Sequence, residues 1–168
     1  HRRPQKSLRR DLLLREYGDP THEYFFGYYD ITPFSLDERR ILAIRRPVDQ
    51  SRSTVGMVDN EVTVGFFLVE DVGQGFHEIG ITTSWCWQQG CRLQWYPTDP
   101  NRLVLYNRNV KGRYGAVLTN IENKQVEREY CKPIYSLSDD GQAGISLNFS
   151  RLQRLRPGYG YCDFPDET

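Results

Sequence analysis

The sequence has no apolar run long enough to cross a bilayer and no excess charge of either sign. Its apolar stretches all fall short of the about 18 residues that a transmembrane helix needs. Lys and Arg number 22, Asp and Glu also number 22, and the formal net charge is +0. Proteins that neutralise phosphates along a nucleic acid carry a basic excess. The composition therefore argues against a membrane span and against nucleic acid as a partner.

Residues that ligate metals and motifs that bind cofactors are also scarce. The three histidines are His1, His22 and His77, and none has a second ligand residue at a recognisable spacing. A phosphate-binding loop, a dinucleotide-binding glycine pattern and a Gly-x-Ser-x-Gly nucleophile turn are all missing. We expect no metal site and no cofactor in this segment, and we assign no catalytic residue.

The four cysteines, Cys86, Cys91, Cys131 and Cys162, bear on the cellular location. A chain of 168 residues can bury a core without disulfides. We therefore expect free thiols and a cytoplasmic protein. Because the chain begins with His1 rather than Met, a signal peptide removed upstream, and with it a periplasmic or secreted location, stays open.

From His22 onward the sequence contains short apolar or alternating runs rich in Val, Ile, Tyr and Phe. Gly, Pro, Asp and Asn separate these runs, as is typical of antiparallel strands joined by turns. The 14 Gly and 9 Pro interrupt any sustained helical period. The pattern predicts an all-β fold.

A repeat of strand, polar turn and strand occurs three times, at residues 29–44, 93–106 and 134–147. Each copy places Ser or Thr and Asp in the turn, where their side chains can bind turn amides. Further strands are predicted at residues 62–69, 76–82, 114–121 and 125–130. The second and third turns lie about 40 residues apart, the length of one four-stranded propeller blade.

The spacing predicts a β-propeller with four-stranded antiparallel blades. We divide the chain into a basic N-terminal arm (1–20), blade 1 (21–83) with an exposed insertion (47–61), blade 2 (84–132), and a partial blade 3 with an Arg/Tyr-rich loop (133–168). Blades bury their faces only against neighbouring blades, so about two and a half of them cannot close a ring. We expect an N-terminal fragment of a longer ring, or an open stack completed by a partner chain.

Three segments carry a resemblance to a known family: YFFGYYD at 24–30, WCWQQGCRLQW at 85–95 and RPGYGY at 156–161. Over residues 22–165 the chain resembles bacterial TolB/WD-type β-propeller proteins, which are mostly uncharacterised and are grouped with oligogalacturonate-lyase-like propellers. In the lyase-like members, a metal-binding His/Gln cluster and the catalytic His lie in later blades. The resemblance thus implies that any divalent metal is bound by blades beyond this chain.

In a propeller, residues that enter the innermost strands surround the mouth of the central channel. This places Tyr28, Asp30, Gln88, Gln89 and Arg92 at that mouth. Their amide, hydroxyl and charged groups suit a polyhydroxylated ligand such as a sugar. The alternative for Gln88 and Gln89 is that they bind backbone groups at a blade junction.

Residues 148–161 supply the other candidate ligand-binding side chains, Asn148, Arg151, Arg154 and Tyr159. Ser150 is predicted to cap one helical turn that ends before Pro157. This turn would place Arg151 and Arg154 on one side, able to grip a carboxylate or a phosphate. The alternative is a solvated basic loop with Tyr159 packed on a neighbouring blade.

The function that these features favour is a binding module for carbohydrate-like or anionic small molecules at the channel mouth. One alternative is part of an oligogalacturonate-lyase-like polysaccharide lyase, whose metal and catalytic residues would lie beyond this chain. The other is a scaffold for protein–protein interaction. The sequence leaves open whether the complete protein is an enzyme.

Overall fold

Runs of β-branched and aromatic residues, separated by turn-forming residues, build the strands of this chain. The computed structural model describes residues 14–48 and 61–166. The remaining parts of the predicted arm (1–13) and insertion (49–60) lie outside the described residues. The described elements are β1 His22–Phe25, β2 Arg40–Pro47, β3 Val62–Leu68, a 3-10 turn Val72–Gln74, β4 His77–Thr82, β5 Gln94–Trp95, β6 Leu103–Val110, β7 Arg113–Asn120, β8 Val126–Tyr130, β9 Ser136–Leu137, β10 Gly144–Ile145 and α1 Phe149–Leu155.

The strands form three antiparallel sheets in chain order. Sheet 1 contains β1–β4, sheet 2 contains β5–β8, and sheet 3 is the pair β9 and β10. Each strand of a sheet pairs with the next one along the chain. The predictions of a mostly β chain and of four-stranded antiparallel sheets are confirmed. No helix in the described ranges is long and apolar enough to cross a membrane.

The first predicted strand is misplaced. Regular pairing occurs earlier, at His22–Phe25, and the segment at 29–34 keeps one isolated bridge between Phe34 and Ile41. A turn from Tyr28 to Ile31 precedes this bridge. Since Pro33 has no N–H to donate, it also weakens a regular ladder there.

Two of the predicted turns, one in sheet 1 and one in sheet 3, have the same pattern of hydrogen bonds. The Ser35 hydroxyl donates to Asp37 at 2.6 Å and accepts from the Arg40 N–H at 3.0 Å. At the same spacing, Ser138 donates to Asp140 at 2.6 Å and accepts from the Ala143 N–H at 2.9 Å. The hydrogen bonds from these serine hydroxyls are the largest of the effects that lower the pKa of Asp37 and the pKa of Asp140. The repeat predicted from the Ser and Asp positions is confirmed at these two turns.

Sheet 1 packs against one face of sheet 2, and the segment around the start of β9 packs against the other face. One core cluster joins Ile44 and Val64 of sheet 1 to Val104 of sheet 2. Another joins Leu105 of sheet 2 to Ile134 in the segment before β9. Val104 and Leu105 are adjacent and each has 0% exposure, so both faces of sheet 2 are covered.

The last residues of the predicted N-terminal arm contact sheet 1. The Tyr17 hydroxyl donates to the Val69 carbonyl at 2.9 Å, and its ring lies 5.4 Å from that of Phe67. The Arg15 guanidinium binds the same carbonyl. Residues 15–17 are therefore held against the end of β3.

Candidate ligand-binding site

A buried arginine joins three segments of the chain, which precede β2, β5 and β9. Arg92 is 1% exposed, and its Nη1 and Nη2 donate to the two oxygens of Asp30 at 3.2 and 2.9 Å. Its Nε donates to the Tyr135 carbonyl at 2.8 Å, and its guanidinium lies 4.1 Å from the centre of the Tyr135 ring. A buried charge needs such partners. We call Arg92, Asp30 and Tyr135 the arginine clamp.

These contacts give Arg92 a structural role in place of the ligand contact expected from the sequence. Burial leaves its guanidinium no open face, and its three donor nitrogens are already bound. The Asp30 side chain keeps 36% exposure and can still accept from solvent or a ligand. Arg92 therefore positions Asp30 and Tyr135.

Two glycines, Gly27 and Gly90, let the loop before Asp30 and the loop before Arg92 approach each other. A Cβ on Gly27 would lie 2.8 Å from the Gln89 carbonyl oxygen. Gly90 has φ of +57°, a conformation that favours glycine, and a Cβ there would lie 3.4 Å from the Gly27 Cα. The backbones of the two loops are consequently in direct contact.

The two glutamines differ in environment. Gln89 is 5% exposed and its Nε2 donates to the Tyr159 carbonyl at 3.0 Å, so the alternative of a backbone-binding glutamine is correct for this residue. Its buried Oε1 has no donor among the described residues. Gln88 is exposed beside it and keeps its amide available.

Three tyrosines and an arginine form the exposed part of the site. The rings of Tyr28 and Tyr29 lie 4.2 Å apart, and Tyr29 is 88% exposed. The Arg156 guanidinium lies 4.0 Å from the Tyr159 ring centre and donates to its hydroxyl at 3.3 Å. The Tyr29 hydroxyl raises the pKa of Tyr28, and the positive charge of Arg156 opposes that rise. We call these four residues the tyrosine rim.

The remaining candidates form a separate group around α1. Arg154 donates to Asp166 Oδ2 from Nε at 3.0 Å and from Nη2 at 2.9 Å, and Arg151 Nε donates to the same oxygen at 3.3 Å. Burial raises the pKa of Asp166, but these bonds outweigh it and the net shift is downward. The prediction that both arginines share one side is confirmed. The carboxylate they grip belongs to the chain itself.

The predicted helix cap is wrong by two residues. Asn148, not Ser150, caps α1, because its Oδ1 accepts the Arg151 N–H at 2.9 Å. Asn148 Nδ2 also donates to Asp166 at 3.3 Å. Asn148 thus belongs to the group around α1, where it caps the helix.

The structure therefore divides the predicted site residues into two sets. One set lies at the arginine clamp and tyrosine rim: Tyr28, Asp30, Gln88, Gln89, Arg92 and Tyr159. The other set lies around α1: Asn148, Arg151 and Arg154. Tyr29, Tyr135 and Arg156 complete the first set but were not among the predicted ligand-binding residues, although Tyr29 and Arg156 belong to the YFFGYYD and RPGYGY segments.

The four cysteines are free thiols, as predicted. Burial raises the pKa of Cys86 to about 11 and that of Cys91 to about 12, so both stay protonated at neutral pH. Cys131 and Cys162 are exposed. Across residues 14–48 and 61–166, no group of three or more His, Cys, Asp and Glu is arranged to hold a metal ion.

No family model, curated protein or solved structure matches the chain. The resemblance to TolB/WD-type propellers thus rests on the three quoted segments alone.

Proposed function

We propose that this chain is part of a β-propeller that binds carbohydrate, acidic sugars in particular, on the tyrosine rim. Three features support the propeller: meander sheets of four strands, sheets stacked in chain order, and the turn repeated at Ser35 and Ser138. In such a fold, sheets 1 and 2 are two blades and sheet 3 begins a third. A blade buries its faces against its neighbours, as sheet 2 does.

The observation that carries the binding proposal is the convergence of distant segments at the arginine clamp. Arg92 holds Asp30 and Tyr135, and Gln89 holds Tyr159. These contacts join four segments of the chain beside a group of tyrosines of which Tyr29 is almost fully exposed. Exposed, clustered aromatic side chains are a common mark of binding surfaces.

The chemistry of the rim fits a sugar. The faces of Tyr28 and Tyr29 offer apolar surface to the C–H groups of a sugar ring, while their hydroxyls remain polar. Gln88 can donate to and accept from sugar hydroxyls, and the exposed part of Asp30 can accept. The Arg156 fork can bind a carboxylate in a bidentate manner.

The direct test is binding of neutral and acidic oligosaccharides on a glycan array, followed by titration calorimetry. Tyr29→Ala should weaken binding about 5- to 10-fold, because it removes an exposed stacking face. Phe34→Ala is the matched control, since it removes a 46% exposed ring outside the rim and should change little. Arg156→Gln should weaken acidic sugars more than neutral ones.

Two outcomes would contradict the proposal. One is an array with no signal, and another is equal loss in Tyr29→Ala and Phe34→Ala. A bound divalent metal together with an unsaturated uronate product would instead make the protein a polysaccharide lyase. A stoichiometric protein partner captured by the rim, with no glycan signal, would make it an interaction scaffold.

A further inference from the structure

A cleft of about 710 Å³ lies beside α1, apart from the tyrosine rim. Its lining includes Arg113, Tyr114, Lys132, Phe149 and Asp166. These residues come from β7, the segment after β8, α1 and the segment that follows α1. Neither the rim nor the arginine clamp contributes to its lining.

The cleft carries a positive excess in a chain whose net charge is +0. Arg113 and Lys132 are exposed, and neither has a carboxylate partner in the described part of the chain. The carboxylate of Asp166 is already bound by Arg151 and Arg154. The two unpaired cations therefore dominate the local potential and favour an anion.

The floor of the cleft is built from packed aromatic rings. Phe149 stacks on Tyr161 with centroids 4.1 Å apart and planes 3° from parallel. The Tyr114 hydroxyl accepts the Phe164 N–H at 2.9 Å, which leaves its own proton free to donate. Burial raises the pKa of Tyr114 to about 12, so this proton stays in place at neutral pH.

We infer that this cleft binds a small anionic polyol, with its carboxylate or phosphate group between Arg113 and Lys132. Charge-assisted hydrogen bonds from these two side chains hold the anionic group. Ser146 and Ser150, which also line the cleft, exchange hydrogen bonds with the ligand hydroxyls. The site is distinct from the rim, so it does not depend on the function proposed there.

Cys131 provides a reporter, because its exposed thiol lines the same cleft. The probes are glucose 6-phosphate, glucuronate and neutral glucose, added to the full chain. Binding is measured by titration calorimetry and by the rate of Cys131 alkylation. An anionic probe should slow the alkylation of Cys131, and added salt should reduce this protection, while glucose should leave the rate of alkylation unchanged.

The variant Arg113→Ala with Lys132→Ala should lower affinity about 10-fold per lost cation, or about 100-fold together. The matched control is Arg39→Ala with Lys124→Ala, which removes the same charges from exposed turns away from the cleft and should bind normally. Preference for glucose 6-phosphate assigns the anion as phosphate, and preference for glucuronate assigns it as carboxylate. Either one supports the cleft site.

Absence of binding by both anionic probes overturns the inference, and so does equal binding by the double variant and the wild type. Tyr29→Ala should leave the protection of Cys131 by the anionic probes unchanged, because Cys131 lines the cleft and Tyr29 does not. If the variant abolished this protection, the cleft assignment would be wrong. If no glycan bound at the rim but the anionic probes still protected Cys131, only the carbohydrate site proposed at the rim would be contradicted.

Discussion

Removing the counter-ion of Arg92 should be among the most costly single changes at the surface of this protein. In Asp30→Asn the shape of the side chain is kept, but the 1% exposed guanidinium of Arg92 loses its only charged partner in the described residues. Breaking a buried pair from one side costs about 3–5 kcal/mol. Since the Asp30 side chain is 36% exposed, water can partly replace it, and we expect about 3 kcal/mol.

That loss should appear in urea unfolding and as a fall in Tm of about 6–12 °C for a chain of this size. Asp99→Asn is the matched control, since it breaks the Arg102–Asp99 pair, whose side chains are 48% and 31% exposed. It should cost less than about 1 kcal/mol. Combining Asp30→Asn with Arg92→Met removes the buried charge and should recover part of the loss. Equal, small losses in Asp30→Asn and Asp99→Asn would refute the role of the clamp.

Three further predictions concern acid–base behaviour, close packing and thiol reactivity. Burial raises the pKa of Asp163, so its contribution to stability is full below about 3.8 and is lost as pH rises through the higher folded pKa. Asp163→Asn should therefore unfold at higher urea than wild type at pH 7, with the gain shrinking towards pH 3, and a gain that grows in acid would contradict this. Gly27→Ala should destabilise the protein in thermal unfolding, because its Cβ would lie 2.8 Å from a backbone oxygen, whereas Gly73→Ala meets only a side-chain atom at 3.7 Å and should be tolerated. In alkylation followed by mass spectrometry, Cys86 and Cys91 should react only after unfolding, and labelling of both in the native protein would show that their burial is misjudged.

The predictions that held are those that depend on local chemistry. Ser35 and Asp37 form their turn through hydrogen bonds between residues close together in the chain. The same turn at Ser138 could therefore be predicted from the sequence. The alternation of apolar with polar residues and the high content of β-branched residues likewise predicted most strands of sheets 1 and 2 near their observed positions. The cap at Asn148 was missed because Asn and Ser both cap helices well, and only the backbone path decides between them.

The predictions that needed correction depend on contacts between distant segments. Arg92 appeared available to a ligand because nothing in its neighbourhood along the chain shows that Asp30 and Tyr135 surround it. Arg151 and Arg154 were expected to bind an external anion, but both form ion pairs with the carboxylate of Asp166 instead. The local sequence likewise does not show that Tyr29 is 88% exposed while Arg92 is buried.

The amino-acid sequence by itself determined the strand pattern, the repeated turns and the chemical kinds of side chain available to a site. These properties follow from backbone preferences and hydrogen bonds between near neighbours. The tertiary structure alone decided which of those side chains are buried, which are paired and which remain exposed. The reason is that burial and pairing depend on distances between segments far apart in the chain, and those distances are set only when the sheets stack.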